Sequence, residues 1–248
     1  GIGLDTGATD TVIGGTAAGS GNVISGNTAQ AVFIFGPTTA TTVVSGNFIG
    51  TDVTGTLALG NGSGVHIVDW PGNTIGGSTS AAGNLISRNA GRGVTIEGAG
   101  TGNAVIANAI FDNGALGIDL GADGVTQNDA NDADSGPNNF QNFPVITTAT
   151  VDTVSGTLHS TPNTTFTVHV YASNICDPSG FGEGRQLVTS LTLSTDGAGN
   201  ASFTQGGLSL PPAWFATATP TDPSGNTSEF SGCVGVGAAG PVVTVVAS

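Results

Sequence analysis

Short apolar segments, rather than helical stripes, set the hydrophobic pattern of this 248-residue chain. Between Thr11 and Leu120, three such segments recur four times, each rich in β-branched residues and bounded by Gly, Asn, Ser or Thr. This is the pattern of short β-strands, and no apolar stripe with a helical period accompanies it. Because a fixed repeat of this size is the signature of a solenoid, residues 1–121 are predicted to form about four coils of a right-handed parallel β-helix.

The apolar residue of the first segment recurs every 31 residues, at Ile13, Val44, Ile75 and Ile106. The second segments are centred on Ile24, Ile49, Ile86 and Ile110, and the third begin at Val32, Val65, Val94 and Ile118. Aligned coils would stack these side chains into one continuous core, with about 4.8 Å between neighbouring coils.

Asparagine recurs at two places around the central Ile of the second segment. Asn22, Asn47, Asn84 and Asn108 precede that Ile by two residues, and Asn27, Asp52, Asn89 and Asn113 follow it by three. Stacked asparagines can hydrogen-bond along the axis of a β-array, so these residues are predicted to form two structural ladders. The longer gap in coil two, residues 51–62, is predicted to be a surface insert because an insertion at a corner leaves the stacking undisturbed.

Phrases within the repeat carry a resemblance to a known class of protein. The clearest are GNVISGN at 21–27, GNFIGTD at 46–52 and TGTLALGN at 54–61. They resemble the parallel β-helix repeats of large secreted bacterial surface proteins, whose fold belongs to a superfamily that includes pectate-lyase-like enzymes. The resemblance covers about half of the chain and implies a fold rather than an activity.

The charge balance bears on partners. The chain has no Lys, three Arg and 17 acidic residues, for a net charge of −14. Binding to nucleic acid or to anionic membranes is not expected, since phosphate contacts require Lys and Arg. No apolar run is long enough to insert into a membrane. The acidity suits an extracellular setting, and it is equally explained by solubility alone.

Residues 122–143 form a polar connector rich in Asp and Asn. Its candidate metal ligands are Asp129, Asn131, Asp132 and Asp134. Closely spaced carboxylate and amide oxygens on a turning loop suit Ca²⁺, although the final Glu of an EF-hand is absent. A metal-free loop of Asx-turns is the alternative.

Residues 144–233 change to the pattern of a small antiparallel β-sandwich, with turn clusters between alternating strands. The predicted strands are Val145–Thr150, Val154–His159, Phe166–Ala172, Leu187–Ser194, Ala201–Thr204 and Trp214–Thr221. The stretch 216–230 resembles the Ig-like domains that follow repeats in bacterial surface proteins. The two cysteines, Cys176 and Cys233, are predicted to form a disulfide, which favours an oxidising compartment and an extracellular or cell-surface location.

The two ends of the chain are candidate contacts for self-association. Residues 1–4 match the third segment of a coil, so the chain is expected to begin on an incomplete coil that exposes Ile2 and Leu4. Residues 234–248 read as a linker and a β-prone terminal strand containing Val242, Val243, Val245 and Val246. That strand either completes the sandwich, starts a further domain or adds to a neighbouring subunit.

One polar column could carry chemistry, at the outward position of the third segments. It consists of Phe33, His66, Thr95 and Asp119, with Glu97 and Trp70 beside it. Glu97 and Asp119 could act as paired carboxylates, His66 could assist them, and Trp70 could stack on a sugar. However, pectate-lyase-like enzymes use Asp-bound calcium with a basic residue, and this chain has no Lys. No nucleophilic arrangement of Ser or Cys with His is readable either.

The sequence therefore favours a non-enzymatic, secreted or cell-surface structural or adhesive module that self-assembles into a filament or layer or binds other surface proteins or glycans. The alternative is a polysaccharide-active or glycan-binding protein that works through His66, Glu97, Asp119 and Trp70.

Overall fold

A computed structural model describes residues 1–5, 7–36, 41–79 and 81–238. The fold is all-β, a parallel β-helix followed by an antiparallel β-sandwich, which confirms the predicted fold class. The strands of the β-helix are β1 Ile2–Leu4, β2 Val12–Gly14, β3 Val23–Ile24, β4 Gln30–Phe35, β5 Val43–Ser45, β6 Phe48–Ile49, β7 Ser63–Val68, β8 Thr74–Gly76, β9 Leu85–Ser87, β10 Val94–Glu97, β11 Ala104–Ile106, β12 Ala109–Phe111 and β13 Ile118–Leu120.

Three parallel sheets run along the β-helix, and each takes one strand from every coil. Their orders are β1-β4-β7-β10-β13, β11-β8-β5-β2 and β12-β9-β6-β3. The opening strand β1 pairs with β4 in the register expected for a third segment, with Ile2 beside Val32 and Leu4 beside Ile34. The inward Ile, Val and Leu side chains are almost fully buried and form one continuous core. Burial of this stacked apolar column is what holds each coil against the next.

The 31-residue spacing predicted for the buried residue of each first strand is wrong in coil four. Val105, rather than Ile106, pairs with Ile75 and is buried in the core. Ile106 pairs with Gly76 instead. Gly76 has a φ of +94°, and a Cβ atom added to it would lie 2.0 Å from the carbonyl oxygen of Ile106. Because strand side chains alternate between faces, this shift of one residue turns Ile106 outward.

Among the described residues, the sandwich has seven strands in two sheets. They are β14 Val145–Ala149, β15 Thr153–His159, β16 Thr165–Ser173, β17 Gln186–Ser194, β18 Asn200–Gly206, β19 Phe215–Thr221 and β20 Val234–Gly235. The sheet orders are β14-β15-β18 and β17-β16-β19-β20. Six strands match the predicted ones within a few residues at each end, and β20 lies where a linker was predicted. The predicted boundaries between the β-helix, the connector, the sandwich and the terminal linker stay predictions.

The two central strands of the second sandwich sheet, β16 and β19, are largely buried on both of their faces. Val168 and Val170 of β16 point into the sandwich core, whereas Tyr171 belongs to the core of the β-helix together with Phe230. Thr217 and Thr219 of β19 are fully buried as well. The sandwich therefore packs against the last coil of the β-helix. A short 3₁₀ helix, Pro137–Phe140, lies in the connector between the two parts.

Candidate functional site

Asparagine side chains cross-link successive coils at the corner before the second strand. The backbone N–H and Nδ2 of Asn47 both donate to Oδ1 of Asn84 at 3.0 Å, and Asn84 donates in the same way to Asn108 at 2.9 Å. Asn22 donates to Asn47 in the same geometry. The Oδ1 of a ladder asparagine thus accepts from the backbone and side chain of the preceding coil, while its Nδ2 donates to the next coil. Asparagine suits this position because its short side chain carries both an acceptor and a donor.

The second ladder differs from the predicted one in coil two. The structure joins Asn27, Asn61, Asn89 and Asn113 by the same paired hydrogen bonds. Asp52 is not a member, which corrects the prediction. It caps the turn of the insert instead, accepting hydrogen bonds from Thr54 Oγ1 and the backbone of Thr56 and Leu57. The chain leaves the coil at residue 51 and returns at Asn61, so a count from Ile49 selects the wrong residue.

A third ladder, which sequence reasoning missed, precedes the first strands. The backbone N–H of Thr42 donates to Asn73, Asn73 donates to Asn103, and Asn103 donates to Asn138 of the 3₁₀ helix. The 30- and 31-residue spacing of Thr42, Asn73 and Asn103 was the available signal, because it follows the period of the first strands.

The sandwich and connector close the last coil, where the three parallel sheets would otherwise end in free backbone donors. The N–H groups of Val105 and Ala107 donate to Thr227 Oγ1 and the Tyr171 hydroxyl. Ile110 exchanges two backbone hydrogen bonds with Gly184. These contacts replace the next coil for two of the sheets, so the sandwich acts as a cap on the β-helix.

Two buried glutamates complete this cap. Glu183 ends the second ladder, because its Oε1 accepts a hydrogen bond from Asn113 Nδ2 at 2.9 Å and its Oε2 one from the backbone of Asn113 at 3.3 Å. Glu229 accepts from the backbone N–H of Leu120 and of Thr126, both at 2.9 Å. Their side chains are 6% and 3% exposed.

Both cap glutamates have a raised pKa, with burial as the main cause. Burial raises the pKa of Glu183 to about 7 and that of Glu229 to about 8, against the downward effect of the hydrogen bonds that each accepts. Asp177 and Asp112 add to the first, and Asp119 and Asp123 add to the second. A carboxyl group at such a site is neutral in mildly acidic solution and becomes a buried charge as the pH rises.

The predicted polar column forms in the expected register, Phe33, His66, Thr95 and Asp119 on successive coils. Its two ionisable side chains, His66 and Asp119, each lie beside a charged neighbour outside the column, Glu97 and Arg92 respectively. His66 Nε2 lies 3.3 Å from Glu97 Oε1, and Gln30 contacts His66 Nδ1 at 3.3 Å. Burial lowers the pKa of His66, with Glu97 acting in the opposite direction.

Asp119 is only 1% exposed, and its Oδ2 forms an ion pair with Arg92 Nε. Arg92 also donates to the carbonyl of Ala122 at 2.6 Å. The arginine therefore joins the last coil to the start of the connector. In this arrangement Asp119 is shielded from solvent, which does not suit a carboxylate that must reach a polysaccharide.

Trp70 does not occupy the surface position that the sequence suggested. The side chain is fully buried and belongs to the core of the β-helix. Its ring cannot stack on a sugar from that position, which corrects the prediction of a glycan contact.

The connector brings three of the four predicted metal ligands together. Oxygens of Asp129, Asp132 and Asp134 lie within 4.8 Å of one another. The Asp132 carboxylate already accepts from Gln141 Nε2, Ser160 Oγ and the backbone of Asn142. Burial raises the pKa of Asp132 and of Asp134. The fourth predicted ligand, Asn131, donates its backbone N–H to His159. Calcium at this loop stays a prediction.

Cys176 and Cys233 form a disulfide in the structure, closing a separation of 57 residues. It ties the loop after β16 to the segment before β20. This loop also carries Glu183, so the bridge restrains the segment that presents one of the two cap glutamates.

The predicted assembly residues divide between described and undescribed parts of the chain. Ile2 and Leu4 are partly buried against the core of the first coil. Strands β1, β2 and β3 are each at the end of their sheet, and no described strand pairs with their outer edges. Val242, Val243, Val245 and Val246 lie outside the described residues.

Within the described ranges, no helix has the length and apolar character needed to cross a membrane. Comparison of the chain with models of known protein families and with curated proteins finds no match.

Proposed function

We propose that this chain is a structural or adhesive module of a secreted or cell-surface protein, in which a stiff β-helix is presented on an Ig-like sandwich. The observation that carries the proposal is the asymmetry of the β-helix. Backbone N–H groups of its last coil donate hydrogen bonds to the sandwich, whereas at the other end no strand among the described residues pairs with the outer edges of β1, β2 and β3. The three asparagine ladders between these ends stiffen the coils, which suits a rod that transmits or resists force.

Unpaired strand edges are a template for another chain, so the open end is the proposed contact for self-association. Partners at this end are a second copy or another surface protein of the same architecture. The segment 242–246, which the sequence predicts to be a β-strand, is the proposed second contact, added to a sheet edge of a neighbouring copy. The Cys176–Cys233 disulfide supports an oxidising, extracellular location. This proposal includes calcium at the connector loop as the ion that relieves repulsion among its three carboxylates.

Electron microscopy with negative stain and light scattering after size-exclusion chromatography test this proposal. The wild-type chain is expected to form filaments or end-to-end oligomers. Replacing Leu4 with Asp places a charge on the open end and is expected to give single short rods. The matched control is Ile175→Asp on the sandwich, which changes an equally apolar but 60% exposed side chain and leaves assembly intact.

Deletion of residues 241–248 tests the donated strand separately and is expected to abolish filaments. A wild-type chain that stays single at high concentration would overturn self-association, and filaments that survive the deletion would overturn the role of the terminal strand.

The alternative function, a polysaccharide-active or glycan-binding protein, rests on the shared face of His66, Glu97 and Asp119. The Arg92–Asp119 ion pair and the burial of Trp70 weigh against it. A panel of acidic and neutral glycans, tested for binding and for turnover, decides the matter. Binding that is lost in His66→Ala and Glu97→Gln would favour this alternative over a purely structural role.

A further inference from the structure

A cleft of about 390 Å³ lies between the β-helix and the sandwich, away from the polar column and from the open end. One wall is the outward face of β11, and the opposite wall is the outer face of β16 and β17. The loop after β19 closes one side. Its volume lies at the lower end of the range of about 300–1,000 Å³ that is usual for small-molecule sites.

The walls are largely apolar because of the register shift in coil four. Ile106 faces outward into the cleft, since Val105 has taken its place in the core. Leu187, which is 39% exposed, and Pro223 complete the apolar lining. An apolar surface of this kind favours the body of an organic ligand over water.

One residue that lines this cleft carries a buried polar atom without a hydrogen-bond partner. His169 is 5% exposed, and its Nδ1 is buried without a hydrogen-bond partner. The imidazole stands on the outer face of β16 beside Thr167, and it pairs across strands with Ser190 and Thr219. A buried polar atom without a partner costs free energy, and a ligand that supplies the partner recovers it.

The groups that line the cleft favour a neutral ligand over an ionic one. Burial lowers the pKa of His169, so the ring is neutral at neutral pH. Asp222 is the one charged lining residue, and both of its oxygens accept hydrogen bonds from its own loop, from Ser224 and Asn226. No cationic residue lines the cleft among the described residues to hold an anion. An ammonium group would lose its hydration without gaining a free carboxylate.

We propose that this cleft is a binding site for a small uncharged molecule with a compact apolar body and one hydroxyl group. The apolar body packs against Ile106, Leu187 and Pro223, and the hydroxyl bonds to Nδ1 of His169. A hydroxyl both donates and accepts, so it satisfies either tautomer of the ring. This site is independent of end-to-end association, because the cleft lies beside the last coil and the open edges belong to the first.

Four probes of similar size separate the contributions: phenol, toluene, benzoate and benzylammonium. Binding to the full chain is measured by ligand-observed NMR, with the imidazole signals of the three histidines as the site-specific readout. Phenol is expected to bind at least tenfold more tightly than toluene and to shift the His169 signals alone. Benzoate and benzylammonium are expected not to bind.

Two variants test the site, so that the test still stands if one of them fails to fold. His169→Phe removes the unpartnered nitrogen, so it is expected to fold and to bind phenol no better than toluene. Ser190→Trp fills the cleft from an exposed strand position and is expected to abolish binding of both. Ser202→Trp, at an exposed position on the other sheet, is the matched control that leaves binding unchanged.

The proposal is overturned if none of the probes binds at 10 mM, on the order of the weakest affinity such fragments show. It is also overturned if phenol and toluene bind equally to the wild-type chain, or if phenol binding survives both His169→Phe and Ser190→Trp.

Discussion

The two buried glutamates of the cap predict that this protein loses stability as the pH rises through neutrality. Glu183 and Glu229 have native pKa values of about 7 and about 8, above the ordinary value of 4.5. The native state therefore keeps protons that the unfolded chain has released. Stability from these groups is fully present below pH 4.5 and is lost as the pH rises through 7 and 8.

The size of the loss follows from these values. Each pH unit over which the native state holds a proton that the unfolded state has lost lowers the free energy of unfolding by about 1.4 kcal/mol. Glu183 then accounts for a loss of about 3 kcal/mol between pH 4.5 and 7, and Glu229 for about 5 kcal/mol by pH 8. Because native domains are stable by only about 5–15 kcal/mol, this change is large enough to open the cap.

Urea unfolding at half-unit steps from pH 5 to pH 9 measures the effect. The free energy of unfolding of the wild-type chain is expected to fall between pH 5 and pH 8 and to level off towards pH 9. Burial also raises the pKa of Asp132 and Asp134 in the connector, which acts in the same direction, whereas burial lowers the pKa of His66 and His169, which acts in the opposite direction in mildly acidic solution. For that reason the decisive comparison is between the wild-type chain and the double variant Glu183→Gln, Glu229→Gln.

The double variant has no ionisable group at these two positions of the cap. The change in its free energy of unfolding between pH 5 and pH 9 is therefore expected to be less than half of that of the wild-type chain. Asp52→Asn is the control, because the ordinary aspartate pKa of 3.8 lies below the measured range and hydrogen bonds, led by that from Thr54, lower the pKa of Asp52 further. It is expected to retain the wild-type slope. A wild-type stability that rises with pH, or a double variant with an unchanged slope, would refute this reasoning.

Three further predictions concern the ladder, the connector and the disulfide. Asn84→Ala leaves several buried hydrogen-bonding partners unsatisfied and is expected to lower the free energy of unfolding by about 3 kcal/mol or more in a urea titration. Asn22→Ala, at the exposed end of the same ladder, is the control and is expected to cost below about 1 kcal/mol. Calcium is expected to bind the connector with measurable heat in isothermal titration calorimetry and to raise the melting temperature; the absence of heat, or unchanged heat in Asp134→Asn, would contradict this. Removing the Cys176–Cys233 bridge, which spans 57 residues, is expected to cost about 4 kcal/mol by loop closure, and an unchanged midpoint of unfolding after reduction would show that the cap restrains this loop without it.

The resemblance to bacterial surface repeats helped with the fold but said nothing about how the β-helix ends. Coils one to three look alike in sequence, so their stacking could be inferred from residues such as Asn47 and Ile49. At coil four the repeat meets the sandwich, and the partners of its backbone come from residues more than 60 positions away. Local pattern carries no signal for such a contact.

The sequence by itself determined the repeat, the strand chemistry and the ladder asparagines, because these depend on neighbours at fixed spacing and on the alternation of side chains along a strand. The tertiary structure alone decided which residues leave that pattern. It replaced Asp52 with Asn61, turned Ile106 outward, buried Trp70 and placed Glu183 and Glu229 under the last coil. Each of these outcomes depends on where an insert returns or a second domain packs, and long-range packing of that kind is set by the whole chain rather than by its local pattern.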